Sequence, residues 1–140
     1  MIIKKLKGFK YPDIELVRWF FKSGLYKLQN EKVLEFASHN GNNLSLFANY
    51  DYECLGVELD EKNHQNALYN FSKIWKFKKF SFFHQDMLDF AHESKDIFAK
   101  VFLIPNVINY ISKDALKNLL QDSRKNRLYA YGGGDLLFSL

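Results

Sequence analysis

Three acidic residues stand near the ends of short apolar or aromatic runs, where their carboxylates could bind a polar ligand. Glu35 and Glu58 fall near the ends of two apolar runs, and Asp86 follows the aromatic run 80–84. A carboxylate accepts charge-assisted hydrogen bonds from hydroxyl and ammonium groups. An unpaired charge in a buried strand is costly, so Glu35 needs a partner, either N–H groups of the following turn or a cationic ligand group. The three residues are therefore candidates for holding a ligand that carries hydroxyl or amino groups.

The periodicity of the apolar residues predicts the elements that must position these carboxylates. Strands are predicted over 32–37, 53–59, 80–84, 99–104 and 127–131. Helices are predicted from Asp13 onward, over 42–48, from Asp60 to about Lys73, and after Ser112. The first helix is predicted to continue through Gly24 and to bury one apolar stripe, made by Ile14, Val17, Phe21, Leu25 and Leu28. Strands that alternate with helices predict a parallel sheet covered on both faces.

In such a sheet, ligands bind beyond the carboxyl ends of the strands, so the turn after the first strand is the place to look. A nicotinamide dinucleotide site would have the pattern G-x-G-x-x-G there. The corresponding positions are Ala37, His39 and Asn42, so no glycine matches. Instead, Gly41 follows Ala37 by four residues, and Glu35 precedes Ala37 by two.

This pattern, acidic-x-small-x-x-x-Gly, resembles motif I of the class I S-adenosylmethionine-dependent methyltransferases. Four later segments are similar to further motifs of that family, in the same order, and the match covers roughly residues 33–133: they are residues 56–60, 83–87, 106–111 and 127–133. The resemblance implies an α/β, Rossmann-like three-layer sandwich. It implies a mostly parallel sheet of about five strands in the order 3-2-1-4-5, with helices on both faces. It also implies S-adenosylmethionine as the cofactor.

The resemblance carries over site roles, each with a simpler alternative. Glu58 would bind the ribose hydroxyls, or is a solvated loop residue. Asp86 and Met87 would bracket the adenine, or are a turn cap and a core residue. Asn106 would approach the substrate, or satisfies backbone groups after Pro105. The full set of expected cofactor-binding residues is Glu35, Ala37, Ser38, His39, Gly41, Glu58, Leu59, Asp86, Met87 and Asn106.

No catalytic residue is assigned, and the only candidates for a base are His39 and His84. The four histidines are dispersed and Cys54 is the single cysteine, so no metal site or disulfide is expected. Cys54 lies in a predicted strand and is expected to be a small buried residue. The N-P-P-[FY] motif of methyltransferases that act on amino groups of bases is absent.

Two departures from the family pattern matter. His39 replaces the glycine that lets the backbone approach the cofactor, so its side chain must point away or fill part of the site. The sequence also ends soon after the fifth predicted strand, where the family continues with two more. This leaves three interpretations: a shortened sequence, a sheet completed by homo-oligomerisation through its open edge, or a member that no longer catalyses.

Composition restricts the remaining classes. The 140 residues are expected to form one domain, with an N-terminal helical segment at 1–30 and a cofactor-binding sheet at 31–140. The formal net charge is +4, and the lysines near the N-terminus are interpreted as a solvated basic end, so no nucleic-acid partner is expected. With no apolar segment long enough for a membrane and no signal peptide, a cytoplasmic protein is expected.

The sequence thus predicts a methyltransferase that uses S-adenosylmethionine on a small-molecule substrate. The alternative is a catalytically inactive module of the same fold that binds a partner or supports assembly. An oxidoreductase that binds a nucleotide is disfavoured because the required glycines are missing.

Overall fold

The protein is described here by a computed structural model that covers residues 1–104, 111–130 and 136–139. Within these residues the strands are β1 (Lys32–Phe36), β2 (Glu53–Glu58), β3 (Phe80–His84), β4 (Val101–Ile104) and β5 (Leu136–Ser139). The α-helices are α1 (Ile2–Lys5), α2 (Ile14–Lys22), α3 (Asn42–Ala48), α4 (Glu61–Tyr69), α5 (Met87–Glu93) and α6 (Lys113–Lys125). A 3₁₀ turn (Leu25–Lys27) follows α2, and a π-helical segment (Asn70–Ile74) continues α4.

The strands form one parallel sheet in the order β3-β2-β1-β4-β5. The predicted order is confirmed for the first four strands, 3-2-1-4. β1 lies at the centre, and Glu35 is paired with Gly56 on one side and with Leu103 on the other. The carboxyl ends of β1, β2 and β3 therefore lie side by side, so the residues that follow these strands lie near one another.

Alternating side chains divide the core into two layers, as expected of a sheet buried on both faces. Leu34 and Phe36 of β1 pack with Phe90 of α5 and Leu119 of α6. Val33 of β1 points to the opposite face and packs with residues of α2, α3 and the π-helical segment, among them Leu16, Phe20, Leu44, Phe47 and Phe71. The α/β three-layer architecture is confirmed.

The fifth strand is not where the sequence predicts it. Arg127 has a φ of +54°, which an extended strand excludes. The residues after it pair with the stretch just before β4 and form only an isolated parallel bridge, between Ala99 and Tyr129. The pairing along β4 is made by β5, at 136–139.

The prediction for the first helix was also wrong in two respects. The helix ends at Lys22, and Gly24 follows with a φ of +74°, in the left-handed conformation that often terminates helices. The buried residues of α2 are Leu16 and Phe20, whereas Ile14 is 62% and Phe21 42% exposed; of the predicted stripe, Leu25 is buried. Both faces carry apolar residues, so periodicity alone did not identify the buried one.

Two short helices, α1 and α5, were not predicted. The signal for α5 was present, because the carboxylate of Asp86 accepts hydrogen bonds from the N–H groups of Leu88 and Asp89 as an N-cap. No helix in the described part of the chain is both long enough and apolar enough to cross a bilayer.

Candidate functional site

A cleft of about 180 Å³ lies at the carboxyl ends of β1, β2 and β3, open to solvent. This volume is below the roughly 300–1,000 Å³ of most small-molecule binding sites. Five of its seven lining residues belong to the set expected from the sequence, and the other two are Val57 and Gln85: the five are Ala37, Glu58, Leu59, Asp86 and Met87. The cleft joins the ends of three strands that are distant in sequence.

Glu58 connects the loops after β1 and β2. One carboxylate oxygen, Oε1, accepts a hydrogen bond from the N–H of His39 at 2.8 Å, and Oε2 accepts one from the N–H of Asp60 at 2.9 Å. The residue is only 8% exposed. It is therefore not a solvated loop glutamate. Each oxygen has a further lone pair, so the carboxylate can still accept from a ligand hydroxyl on the cleft side.

Glu35 lies behind the cleft and is almost fully buried. Its Oε2 accepts a hydrogen bond from the Asn43 amide at 2.9 Å, while Oε1 is buried without a partner among the described residues. Burial raises the pKa of Glu35 from 4.5 to about 8; the hydrogen bond from Asn43 lowers it, and the nearby Glu58 raises it further. In the absence of a cation, Glu35 is a neutral acid near pH 7.

The turn after β1, residues 37–41, has the backbone of a glycine-rich loop although two of its positions are not glycine. Ala37 and His39 both have a φ of +52°, and Gly41 has a φ of +82°. Residues with a side chain avoid this region, at a cost of roughly 1–2 kcal/mol each. The turn therefore keeps a conformation suited to close approach of a ligand while accepting local strain.

Gly41 and Gly56 permit close packing behind the turn. A Cβ atom on Gly41 would lie 2.7 Å from a ring carbon of Phe71. A Cβ on Gly56 would lie 2.6 Å from the Ser38 hydroxyl oxygen, which is buried without a described partner. Ser38 and Gly41 thus shape the turn from behind and do not line the cleft.

The side chain of His39 points away from the cleft. Its ring packs edge-to-face against Phe9 of the N-terminal segment, with ring centroids 5.7 Å apart. Nδ1 lies 3.9 Å from Oε1 of Glu58, which gives an ion pair only when the imidazole is protonated. The turn therefore accommodates a histidine at the expected glycine position by placing its backbone N–H, and not its ring, at the site.

Asp86 and Met87 border the cleft from the β3 side. Asp86 caps α5 with Oδ1, which accepts from Leu88 and Asp89 at 2.8 and 3.3 Å. Asp86 is therefore the N-cap of α5, and it also lines the cleft. Met87 is half-buried and also packs against the core layer that contains Phe90.

His84 and His64 stack near the edge of the site, with ring centroids 5.3 Å apart. His84 Nε2 lies 3.0 Å from the carbonyl oxygen of Leu59. Burial and the neighbouring His84 lower the pKa of His64, against the opposing influence of Glu58 and Glu61. Neither histidine lines the cleft, so neither is placed to act as a base there.

Two further residues singled out from the sequence are Cys54 and Asn106. Cys54 is buried, and its thiol donates to the Leu44 carbonyl oxygen at 3.4 Å. The prediction of a small buried residue is confirmed, and burial raises the pKa of this thiol, which disfavours the reactive thiolate. Asn106 lies outside the described residues.

Sequence reasoning missed a group of buried asparagines around the turn. Asn40, Asn42, Asn43 and Asn70 hold the N-terminal segment by hydrogen bonds. The only sequence signal was the unusual density of asparagine in the stretch Asn40-Gly41-Asn42-Asn43. By itself that stretch indicates a turn.

No family model matches the chain, and no curated protein sequence matches it. Solved structures do. A magnesium protoporphyrin IX methyltransferase from Synechocystis with bound S-adenosylmethionine has a TM-score of 0.63, at 15% identity. The match covers 80% of this chain and 51% of that protein.

Two further structures agree. A methyltransferase from Geobacter sulfurreducens in complex with S-adenosyl-L-homocysteine has a TM-score of 0.63 at 14% identity, and covers 99% of this chain and 52% of its own. A glycopeptide N-methyltransferase has a TM-score of 0.67 at 17% identity, with 92% and 53% covered. The chain thus spans about half the length of these proteins. Together these likenesses show that the chain has the fold of the class I S-adenosylmethionine-dependent methyltransferases.

Proposed function

We propose that the chain is the cofactor-binding core of a methyltransferase and binds S-adenosylmethionine in the cleft at the ends of β1, β2 and β3. The observation that carries the proposal is the convergence of Ala37, Glu58, Leu59, Asp86 and Met87 on one cleft. These residues come from three separate loops, and the sequence predicts each of them at a cofactor site.

The lining residues suit the parts of a nucleoside. The Glu58 carboxylate can accept hydrogen bonds from vicinal ribose hydroxyls through its remaining lone pairs. The apolar groups of Leu59 and Met87 can cover the two faces of a planar base. Both cap bonds of Asp86 use Oδ1, so Oδ2 can accept from an exocyclic amino group.

Glu35 fits a cationic group near the turn. Among the described residues its Oε1 has no hydrogen-bond partner, and no positive side chain opposes the rise of its pKa. An ammonium or sulfonium nearby would favour the ionised form and lower this pKa. We therefore propose that Glu35 contributes electrostatic stabilisation to the amino-acid end of the cofactor, through the turn it supports.

Bound S-adenosylmethionine would supply a methyl group on a sulfonium, which is already activated for transfer. The protein would then have to orient the cofactor and the acceptor and exclude water, and it needs no nucleophile of its own. We propose a small-molecule acceptor, because two of the similar solved structures are of enzymes named for small acceptors. One is a magnesium protoporphyrin IX methyltransferase, and the other is a phosphoethanolamine N-methyltransferase in complex with phosphoethanolamine.

One observation favours a second function, a non-catalytic module that binds a partner. Both oxygens of Glu58 already accept backbone N–H groups, so the two loops are held together without a ligand. A protein that had lost cofactor binding could keep these bonds for structural reasons alone.

Calorimetric titration of the chain with S-adenosylmethionine and S-adenosylhomocysteine, with NAD as a control, distinguishes the two. The proposed function predicts binding of both sulfur compounds and no binding of NAD. Loss of a hydrogen-bonded carboxylate is worth about 1.5–3 kcal/mol, so Glu58→Ala should weaken binding roughly 10- to 150-fold. Failure of the folded wild-type chain to bind either compound at millimolar concentration would reject the methyltransferase function in favour of the module.

A matched control is Glu53→Ala. Glu53 lies at the opposite end of β2 from Glu58 and does not line the cleft. It should leave the affinity for S-adenosylhomocysteine unchanged.

A further inference from the structure

The N-terminal strap, residues 7–13, crosses the turn after β1 and is held there by asparagine side chains. Asn40 Nδ2 donates to the carbonyl oxygens of Lys7 and Phe9, at 2.8 and 2.9 Å. Asn42 Nδ2 donates to the carbonyl oxygen of Tyr11 at 3.1 Å. All these bonds go to the backbone of the strap, so they fix its path directly.

Asn70, in the π-helical segment, holds the beginning of the strap. It accepts from the N–H of Lys7 at 2.9 Å and donates to the Lys7 carbonyl oxygen at 2.8 Å. It also donates to the carbonyl oxygen of Asn40 at 3.3 Å. Asn70 and Asn40 are both buried, so each amide would lose its partners in the strap, in an environment with little water, if the strap moved.

The end of the strap reaches Glu35 through one residue. The N–H of Asp13, the N-cap of α2, donates to Oδ1 of Asn43 at 2.8 Å. Nδ2 of the same amide donates to Oε2 of Glu35. The Asp13 N–H thus fixes the orientation of the Asn43 amide, because a flipped amide would place two donors against each other.

The contact between the strap and the turn leaves no room for a side chain at Gly8. Gly8 has a φ of +86°, and a Cβ atom there would lie 2.8 Å from Cγ of Asn40. Phe9 packs on the ring of His39, whose N–H is bonded to Glu58. The strap therefore touches residues on both sides of Gly41 without lining the cleft itself.

We propose that the strap is a positioning element for the ligand site: its docking on the four asparagines holds the strained turn after β1 in the conformation that binds the cofactor. This inference rests on the proposed function for its ligand but not for its structural step. Because the turn contains two non-glycine residues in left-handed conformations, it needs contacts from outside to hold it. The strap supplies them to Asn40, Asn42 and Asn43.

The test is Gly8→Ala, with Gly24→Ala as the matched control. Both glycines have positive φ, but nothing lies within 4 Å of a Cβ on Gly24. The two substitutions thus impose similar backbone strain, and only Gly8→Ala pushes the strap from Asn40. Two readouts are used: calorimetric affinity for S-adenosylhomocysteine, and amide hydrogen exchange of the turn.

Loss of one or more strap bonds should weaken S-adenosylhomocysteine binding at least about tenfold in Gly8→Ala. It should also speed exchange at the N–H groups of Ser38, His39 and Gly41. These N–H groups donate, in that order, to the carbonyl oxygen of Val57, to the Glu58 carboxylate and to the carbonyl oxygen of Ser38. Gly24→Ala should change neither quantity. Equal affinity and equal exchange in the two variants would overturn the proposal.

If wild-type protein binds no S-adenosylhomocysteine, the proposed function fails, and the exchange measurement still decides the role of the strap. Faster exchange confined to the turn supports positioning, and unchanged exchange rejects it. The two failures are therefore distinguishable.

A second pair of variants covers the case in which Gly8→Ala does not fold. Asn70→Ala removes three bonds to the strap and turn. Asn126→Ala is its control, because Asn126 is also buried and donates to the backbone carbonyl oxygens of Ala91 and His92 on the other face of the sheet. Both should lower stability, but only Asn70→Ala should weaken binding of S-adenosylhomocysteine, and equal affinities would reject the proposal.

Discussion

The loops after β1 and β2 meet at Glu58 but are built in opposite ways. The loop after β2 is short and local: Glu58 accepts from the N–H of Asp60, and Asp60 caps α4 by accepting from the N–H of Asn63 at 2.8 Å. The loop after β1 has three residues with positive φ, and it is held by asparagines that bond to a segment about thirty positions earlier. The loop after β1 therefore depends on tertiary contacts, whereas the loop after β2 is determined by its own neighbouring residues.

The two loops also differ in backbone strain. The loop after β2 has no residue in the left-handed region, whereas the loop after β1 has Ala37 and His39 there. Such strain persists only where the surroundings determine the conformation, and it is common at ligand sites. The loop after β1 should therefore be the more sensitive of the two to distant changes.

The largest effect should come from Gly41→Ala, which breaks the loop after β1 from within. The new Cβ would lie 2.7 Å from Phe71, in a residue with a φ of +82°. Left-handed strain and overpacking together should lower the free energy of unfolding by about 2–5 kcal/mol. Urea denaturation measures this.

Gly24→Ala is the control, since it shares the positive φ but meets no neighbour. It should cost only about 1–2 kcal/mol, from strain alone. If both variants lost the same free energy of unfolding, the loop after β1 would be able to rearrange around the new methyl group, and it would not be the more sensitive of the two loops.

Glu35→Gln should change how the free energy of unfolding depends on pH, through a residue behind the loop after β1. The pKa of Glu35 is raised from 4.5 unfolded to about 8 folded, so the native state binds more protons between these values. Its contribution to stability is therefore fully present below pH 4.5 and is lost as pH rises toward 8. Glutamine mimics the neutral acid and removes this loss.

Denaturation as a function of pH should show Glu35→Gln to be more stable than wild type at pH 8, by about 2–4 kcal/mol. The difference should shrink toward zero near pH 4.5. The same variant should bind S-adenosylhomocysteine more weakly, because it cannot ionise beside a cation. A constant difference in stability across this pH range would show that the pKa of Glu35 is not raised.

Asp60→Ala breaks the loop after β2 instead. Loss of an N-cap should lower the free energy of unfolding by about 1 kcal/mol. Since Glu58 accepts from the backbone of residue 60 and not from its side chain, the loop after β1 should be unaffected. Faster hydrogen exchange at residues 37–41 in this variant would contradict the independence of the two loops.

The smallest effect should come from His39→Gly, which relaxes the loop after β1. Relief of left-handed strain and the added freedom of the unfolded chain oppose each other, so stability should change by less than about 1 kcal/mol. Because the ring points toward Phe9, affinity for S-adenosylhomocysteine should stay within about threefold of wild type, which is less than one lost hydrogen bond. A much larger loss on titration would place the imidazole in the ligand site.

The difference between local contacts in the loop after β2 and tertiary contacts in the loop after β1 explains which features the sequence could predict. Glu58 and the Asp60 cap were predicted because their signals are local: an acid at a strand end and an aspartate before a helix. The strand order was carried by the resemblance and confirmed by the pairing of β1 with β2 and β4.

The support of the loop after β1 could not be predicted. Asn40, Asn42 and Asn43 bond to residues that precede them by about thirty positions, and no spacing rule reports such a contact. The outward turn of His39 depends on Phe9 in the same way. The position of β5 was mispredicted because Arg127 follows the C-cap of α6 in a left-handed conformation, with its N–H bonded to the carbonyl oxygen of Arg124. Glycine is the usual residue at such a position, so an arginine there gives no signal in the sequence.

The most direct test of the central claim is the map of amide chemical-shift changes when S-adenosylhomocysteine is titrated into isotopically labelled protein. The account predicts the largest changes at Ala37, His39, Leu59, Gln85 and Met87, with residues 76–79 at the opposite end of the sheet unchanged. Saturable changes confined to the cleft would establish the site. Changes centred elsewhere, or none at millimolar ligand, would contradict it.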